Sequence, residues 1–200
     1  ILAGFFAKMM GLPVKKFICA SNANNVLTDF VNTGVYNRER PFHKTSSPSM
    51  DILVSSNLER LLYLETDKNT AKVAGWMQEL QEQGSYTVDR SVQNSILKDF
   101  FATWVDEIET KETIYTVYKN HKYLLDPHTA VAWKALEKYW LLTSDDTYSI
   151  VLSTASPFKF NDCVLGAINP AVAAENQEAF ASLHALADTT GNPLPPNLAA

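Results

Sequence analysis

The sequence predicts an α/β fold, rich in helix and built on a parallel sheet, and three observations predict it. Short apolar runs at 14–20 and 148–152 read as strands. Each leads into a loop of hydroxyl and amide residues, 21–25 and 153–156. The long stretches between them carry apolar residues at helical spacing, the alternation expected of a sheet joined by crossover helices.

Taken in order, Leu2, Phe5, Phe6 and Met9 have helical spacing, and Gly11 to Pro13 ends the pattern. No capping residue precedes Ile1, so the expectation is that the sequence opens inside an element of a larger protein. Val14 to Ala20 reads as a strand, the polar residues Ser21 to Asn25 as a loop, and Val26 to Val31 as a helix. Residues 34–47 read as a loop. Ser47 and Pro48 look like a helix start, with Asp51 in the first turn and Val54, Leu58, Leu61, Leu62 and Leu64 along the helix. Thr66 to Asn69 interrupts. Val73, Trp76, Met77 and Leu80 stripe the next helix, which Gly84 closes.

Ile96, Leu97, Phe100, Phe101 and Trp104 predict a helix over 91–104, and another is expected over 111–120. Asp126 and Pro127 repeat the cap-plus-proline start before a helix carrying Ala132, Leu136, Tyr139 and Trp140. Tyr148 to Leu152 reads as a buried strand, and Ser156 with Pro157 as a further helix start. The alanine-rich stretch that follows is helical, with a proline-rich tail after Gly191. Neither a repeat nor a linker divides the chain. So few strands for so many helices would make a thin sheet, and further strands are expected upstream.

Composition narrows the function. At 46% apolar and 20% charged residues the chain is of ordinary globular type. A net charge of -5 argues against a nucleic-acid partner, which needs a basic patch. Lys8, Lys15 and Lys16 form one basic cluster, read as a solvated corner. A small anionic ligand would therefore be drawn by local backbone dipoles rather than by the global field. Cys19 and Cys163 are too few for a disulfide framework and read as core residues, which fits a reducing, cytoplasmic setting. The opening apolar run is too short for a membrane span, so no membrane partner is expected.

The histidines at 43, 121, 128 and 184 lack metal-ligand spacing, and no metal is expected. His128 reads as a surface or capping residue, and Asp51, Asp126 and Asp162 as parts of helix starts. Ligands of parallel sheets bind beyond the carboxyl ends of strands, where residues 21–25 and 153–156 fall. Their hydroxyl and amide groups suit holding and orienting a ligand more than acid–base work. Asn22 and Ser156 are equally readable as helix caps.

Five segments, in order, resemble threonine synthase: Ile1 to Pro13, Lys16 to Leu27, Ser47 to Leu62, Tyr123 to Ala132, and Ser153 to Phe160. Ala23, Asn25, Ser156 and Phe158 depart from the family pattern. The resemblance, which weakens beyond about residue 168, implies a helix-rich three-layer α/β domain with a mostly parallel sheet. That is a fold-type-II pyridoxal-phosphate enzyme of the tryptophan-synthase-β-like class. It implies that residues 1–200 are the C-terminal portion of the catalytic domain, with the N-terminal portion missing. It further implies that the phosphate loop and the Schiff-base lysine lie upstream of Ile1, so that no catalytic residue is carried here and the fragment alone is inactive. The implied reaction turns O-phosphohomoserine and water into threonine and phosphate, with pyridoxal 5'-phosphate as cofactor and the N-terminal part of the same protein as partner. The resemblance assigns Thr154, and secondarily Ser153, to the cofactor and Lys159 to the substrate phosphate. A non-catalytic threonine-synthase-like binding module, or a related phospho-lyase, stays open beside this reading.

Overall fold

The computed structural model describes residues 1–196 and 198. It is a helix-rich α/β arrangement. Helix α1 (Leu2–Met9) leads to strand β1 (Phe17–Ser21), helix α2 (Val26–Thr33) and the short strand β2 (Val35–Asn37). Helices α3 (Ser56–Glu65) and α4 (Thr70–Gln83) follow, then β3 (Ser85–Thr87), α5 (Arg90–Asp99) and β4 (Phe100–Trp104). The remainder is helical: α6 (Glu107–His121), α7 (Pro127–Thr143), α8 (Asn161–Ile168), α9 (Pro170–Glu175) and α10 (Ala179–Thr190). Of the proline-rich tail, residues 197, 199 and 200 lie outside the described residues.

β1 and β4 pair in parallel, Phe17 opposite Phe100 through Ser21 opposite Trp104. Their side chains alternate between two faces. Cys19, Phe100 and Ala102 enter one core with Phe30, Leu58, Leu62 and Ile96, while Ile18 and Ala20 pack against Val105, Val131 and Ala135. Helices thus cover both faces of the pair. Gly4 lets α1 come close, since a Cβ there would stand 2.9 Å from the Phe17 ring.

Several expectations are corrected. The stretch 91–104 is not one helix, because α5 stops at Asp99 and the aromatic residues after it form β4. Apolar residues at 96, 97, 100, 101 and 104 fit a helix face, but 100 and 102 also share one face of a strand, and parallel pairing with β1 decides. Lys16 Nζ donates to the carbonyls of Leu97 (3.0 Å) and Lys98 (2.7 Å), satisfying that helix end. The loop expected at 34–47 contains β2, which pairs antiparallel with β3 and stacks Tyr36 on Tyr86 at 5.3 Å. Ser47 and Pro48 begin only a 3-10 turn (Pro48–Met50), and α3 starts later, capped by Ser55, whose side chain accepts from Leu58 N–H.

The fourth correction concerns 148–152. These residues are not a buried strand: Tyr148, Ile150 and Leu152 are 104%, 89% and 74% exposed. A strand needs a neighbour for its backbone groups, and among the described residues none lies alongside. Lys8, Lys15 and Lys16 are not merely solvated either. Lys8 pairs with Asp99 at 2.7 Å and Lys15 with Asp145 at 2.9 Å. Asp145 also accepts from the Thr147 and Tyr139 hydroxyls, and these bonds together hold its carboxyl well below the usual range.

Candidate ligand site at the strand ends

Beyond the carboxyl ends of β1 and β4 the chain gathers four polar segments: 21–25, 43–51, 105–109 and 126–129. The loop 43–51 is fastened to β1 by a largely buried network. Asn22 Nδ2 donates to Asp51 Oδ1 (2.7 Å), Thr45 Oγ1 (2.8 Å) and Ser47 Oγ (3.0 Å). Asn24 Nδ2 donates to Asp51 Oδ1 (2.9 Å) and to the His43 carbonyl (2.8 Å). Thr45 gives Asp51 both its hydroxyl (2.7 Å) and its N–H (3.0 Å). Met50 adds an apolar anchor in the Val105–Val131–Ala135 cluster.

This assigns the expected residues differently. Asn22 caps no helix: its Oδ1 accepts from Asn24 N–H (2.9 Å), and α2 begins after Asn25 without a side-chain cap. Asp51 is the acceptor at the centre of the network rather than a helix-start charge. The spacing of Asn22, Asn24, Thr45 and Ser47 gave no sign of it, because the residues meet only when the loop folds back. Ser46 reaches the first turn of α6, where its N–H and hydroxyl donate to the Glu107 carboxylate at 3.1–3.2 Å.

The N-terminus of α7 joins the same rim. Asp126 is 1% exposed and caps the helix by accepting from the N–H groups of His128 (2.9 Å) and Thr129 (3.4 Å). Thr129 Oγ1 also donates to the other Asp126 carboxylate oxygen, and lies 3.2 Å from Ser153 Oγ. His128 is not a surface residue. Its Nδ1 lies 2.9 Å from Asp126 Oδ1, its Nε2 accepts the Ser49 N–H at 3.2 Å, and its ring meets Phe160 edge-on at 4.8 Å.

Ser153 and Thr154 are exposed, and among the described residues the Thr154 hydroxyl makes no hydrogen bond. Lys159 is exposed on the 3-10 turn Pro157–Phe160, which Ser156 caps by accepting from Phe158 N–H at 3.3 Å. Phe158 itself is buried in the cluster that holds Ile114, Val117 and Leu165. Cys19 is buried in the core, and burial pushes its thiol up to about 11, which disfavours the reactive thiolate. Among the described residues no three side chains are grouped to hold a metal ion, and no helix is long and apolar enough to cross a membrane.

Fold and rim together define a helix-rich α/β protein with a parallel strand pair, its polar groups collected beyond the strand ends, where ligands of open parallel sheets bind. A family model described as threonine synthase, C-terminal, matches residues 129–193. The Saccharomyces cerevisiae threonine synthase is 42% identical over 84% of this chain and 36% of its own length. Human threonine synthase-like 1 is 38% identical over 98% of this chain and 26% of its own length. The crystal structure of the yeast threonine synthase superposes with a TM-score of 0.80 at 36% identity, covering 99% of this chain and 39% of that one. The pyridoxal-phosphate-bound threonine synthase of Brucella melitensis does so with a TM-score of 0.75 at 38% identity, covering 82% and 35%. The chain belongs to the threonine synthase family and corresponds to a C-terminal part of its members, spanning well under half of their length.

Proposed function

We propose that residues 1–200 are the C-terminal portion of a pyridoxal-phosphate-dependent catalytic domain that converts O-phosphohomoserine and water into threonine and phosphate. The observation that carries this reading is the exposed hydroxyl of Thr154, without a hydrogen bond among the described residues and next in the chain to Ser153, which the Thr129 hydroxyl ties to the N-terminus of α7. The donor set fits the cofactor: a neutral hydroxyl can meet a pyridine nitrogen without forcing it to carry a proton, and the carboxylates of the rim are already occupied. When bound, the cofactor supplies an electron sink for carbanions.

This chain's own residues orient and hold. Thr154 would meet the ring nitrogen, with Ser153 supporting it, and Lys159 would meet the substrate phosphate. The Asn22–Asp51 network keeps the loop 43–51 over the strand ends. Since the family resemblance places the lysine partner of the cofactor before Ile1, the 200-residue chain by itself is expected to be inactive.

The test supplies the preceding part of the yeast enzyme in trans and follows phosphate and threonine released from O-phosphohomoserine. Equal amounts of both, from the mixture and from neither part alone, support the reading. Thr154→Val should then lower turnover roughly ten- to hundredfold, the cost of losing one hydrogen bond to a polar ring atom.

The likeness to human threonine synthase-like 1 favours a second reading, and the same assay separates it. Phosphate without threonine would indicate a related phospho-lyase. A folded complex that binds the cofactor's phosphate ester yet releases nothing would indicate a non-catalytic binding module.

A further inference from the structure

His128 is held on three sides. The Ser49 N–H points at Nε2 at 3.2 Å, so Nε2 must carry the lone pair and the ring proton of the neutral form sits on Nδ1. That proton meets Asp126 Oδ1 at 2.9 Å. The Phe160 ring closes the third side, leaving the His128 side chain 12% exposed and that of Asp126 0%. A ring nitrogen that accepts from a backbone amide can do so in only one protonation state.

We propose that His128 is a positioning residue that works as a proton-operated latch. In its Nδ1–H form it bridges the Asp126 carboxylate to the Ser49 amide and holds the turn 47–50 on the N-terminus of α7, and protonation at Nε2 opens that bridge. Asp126 receives the Nδ1 proton in either state, so the α7 end of the bridge stays. What is lost is the Ser49 end, where two N–H donors would then face each other. The groups that meet the ring are Asp126 from α7, the Ser49 amide from the loop and the apolar Phe160 from the 3-10 turn. Lys159, the neighbour of Phe160 in the chain, is exposed.

The turn that the latch holds is continuous with Asp51, and Asp126 also holds Thr129, whose hydroxyl reaches Ser153. One carboxylate therefore ties both the loop 43–51 and the segment 153–156. That the latch bears on cofactor or substrate rests on the function proposed above; the latch itself does not.

The experiment is nuclear magnetic resonance of the nitrogen-15-labelled 200-residue chain between about pH 5 and 8, the range in which histidines ordinarily titrate. The chain has four histidines, and His128→Gln assigns the ring of interest. At the alkaline end His128 should be the Nδ1–H tautomer. As it protonates, the hydrogen-exchange protection of the Ser49 amide should fall about tenfold in step. Gln places a carbonyl oxygen where Nε2 sits and cannot titrate, so in that variant Ser49 should stay protected throughout. Asn keeps the Asp126 contact but falls short of Ser49, so His128→Asn should leave the amide unprotected at every pH. An Nε2–H tautomer, or Ser49 protection indifferent to the charge on His128, would overturn the proposal. Should the Asn variant not fold, the wild-type titration against the Gln variant still decides. No cofactor is needed, so failure here and failure of the proposed reaction are told apart.

Discussion

Asp51 accepts hydrogen bonds from the side chains of Asn22, Asn24 and Thr45 and from the Thr45 N–H. Each largely buried donor left without its acceptor costs about 1–3 kcal/mol. Asp51→Ala should therefore lower stability by about 3 kcal/mol or more, seen as a fall in urea midpoint with the slope unchanged. Tyr86 makes the complementary case. Burial raises its phenol strongly, and burial likewise pushes Tyr36 up to about 12 despite the Ser55 amide hydrogen bond. The folded phenols thus ionise later than those of the unfolded chain, near pH 10. Their contribution to stability is complete below about pH 10 and is lost as pH rises toward the folded values. Tyr86→Phe should delay alkaline unfolding, followed by circular dichroism, while altering neutral-pH stability by less than about 1 kcal/mol. A variant that melts earlier in alkali would refute this account of Tyr86.

At the level of elements, caps explain where helices begin. Asp106 and Glu109 form a capping box at α6: Glu109 N–H donates to Asp106 at 2.8 Å, and Asp106 N–H donates back to Glu109 at 3.2 Å. Asp106→Ala should cost about 1 kcal/mol, readable as a lower thermal midpoint. The segment 148–152 behaves differently. Its apolar residues face solvent and contribute little to the core, so Ile150→Lys should leave the thermal midpoint within a degree or two while reducing self-association. A large loss of stability would mean that Ile150 is buried in solution.

Across the whole molecule, apolar surface is unevenly covered. Met9, Met10 and Leu12 at one end, and Leu141 and Leu142 in the last turn of α7 with Tyr148, Ile150 and Leu152 after it, are exposed. Patches of this kind promote association. Sedimentation at rising concentration should show the chain assembling or binding a hydrophobic dye. A monomer at every concentration, unfolding in one sharp transition, would contradict that expectation.

Local chemistry was legible wherever neighbours in sequence suffice. The α/β class was legible from local apolar periodicity, and the cap and proline that start α7, the stop at Gly84 with its left-handed backbone (φ 74°), and Ser156 as a cap rest on contacts within a few residues. Five ordered segments likewise sufficed to mark the threonine synthase family. Tertiary structure alone decided the rest. The run 96–104 suits a helix or a helix followed by a strand, and only the hydrogen bonds offered by β1 choose between them. Asn22, Asn24, Thr45 and Asp51 make a site only because the loop returns over the strand end. His128 becomes a link rather than a surface residue because Ser49, far away in sequence, brings an amide to its ring. Hydrophobic periodicity and caps are local signals, whereas a polar group's role depends on which distant partner the folded chain places within 3 Å of it.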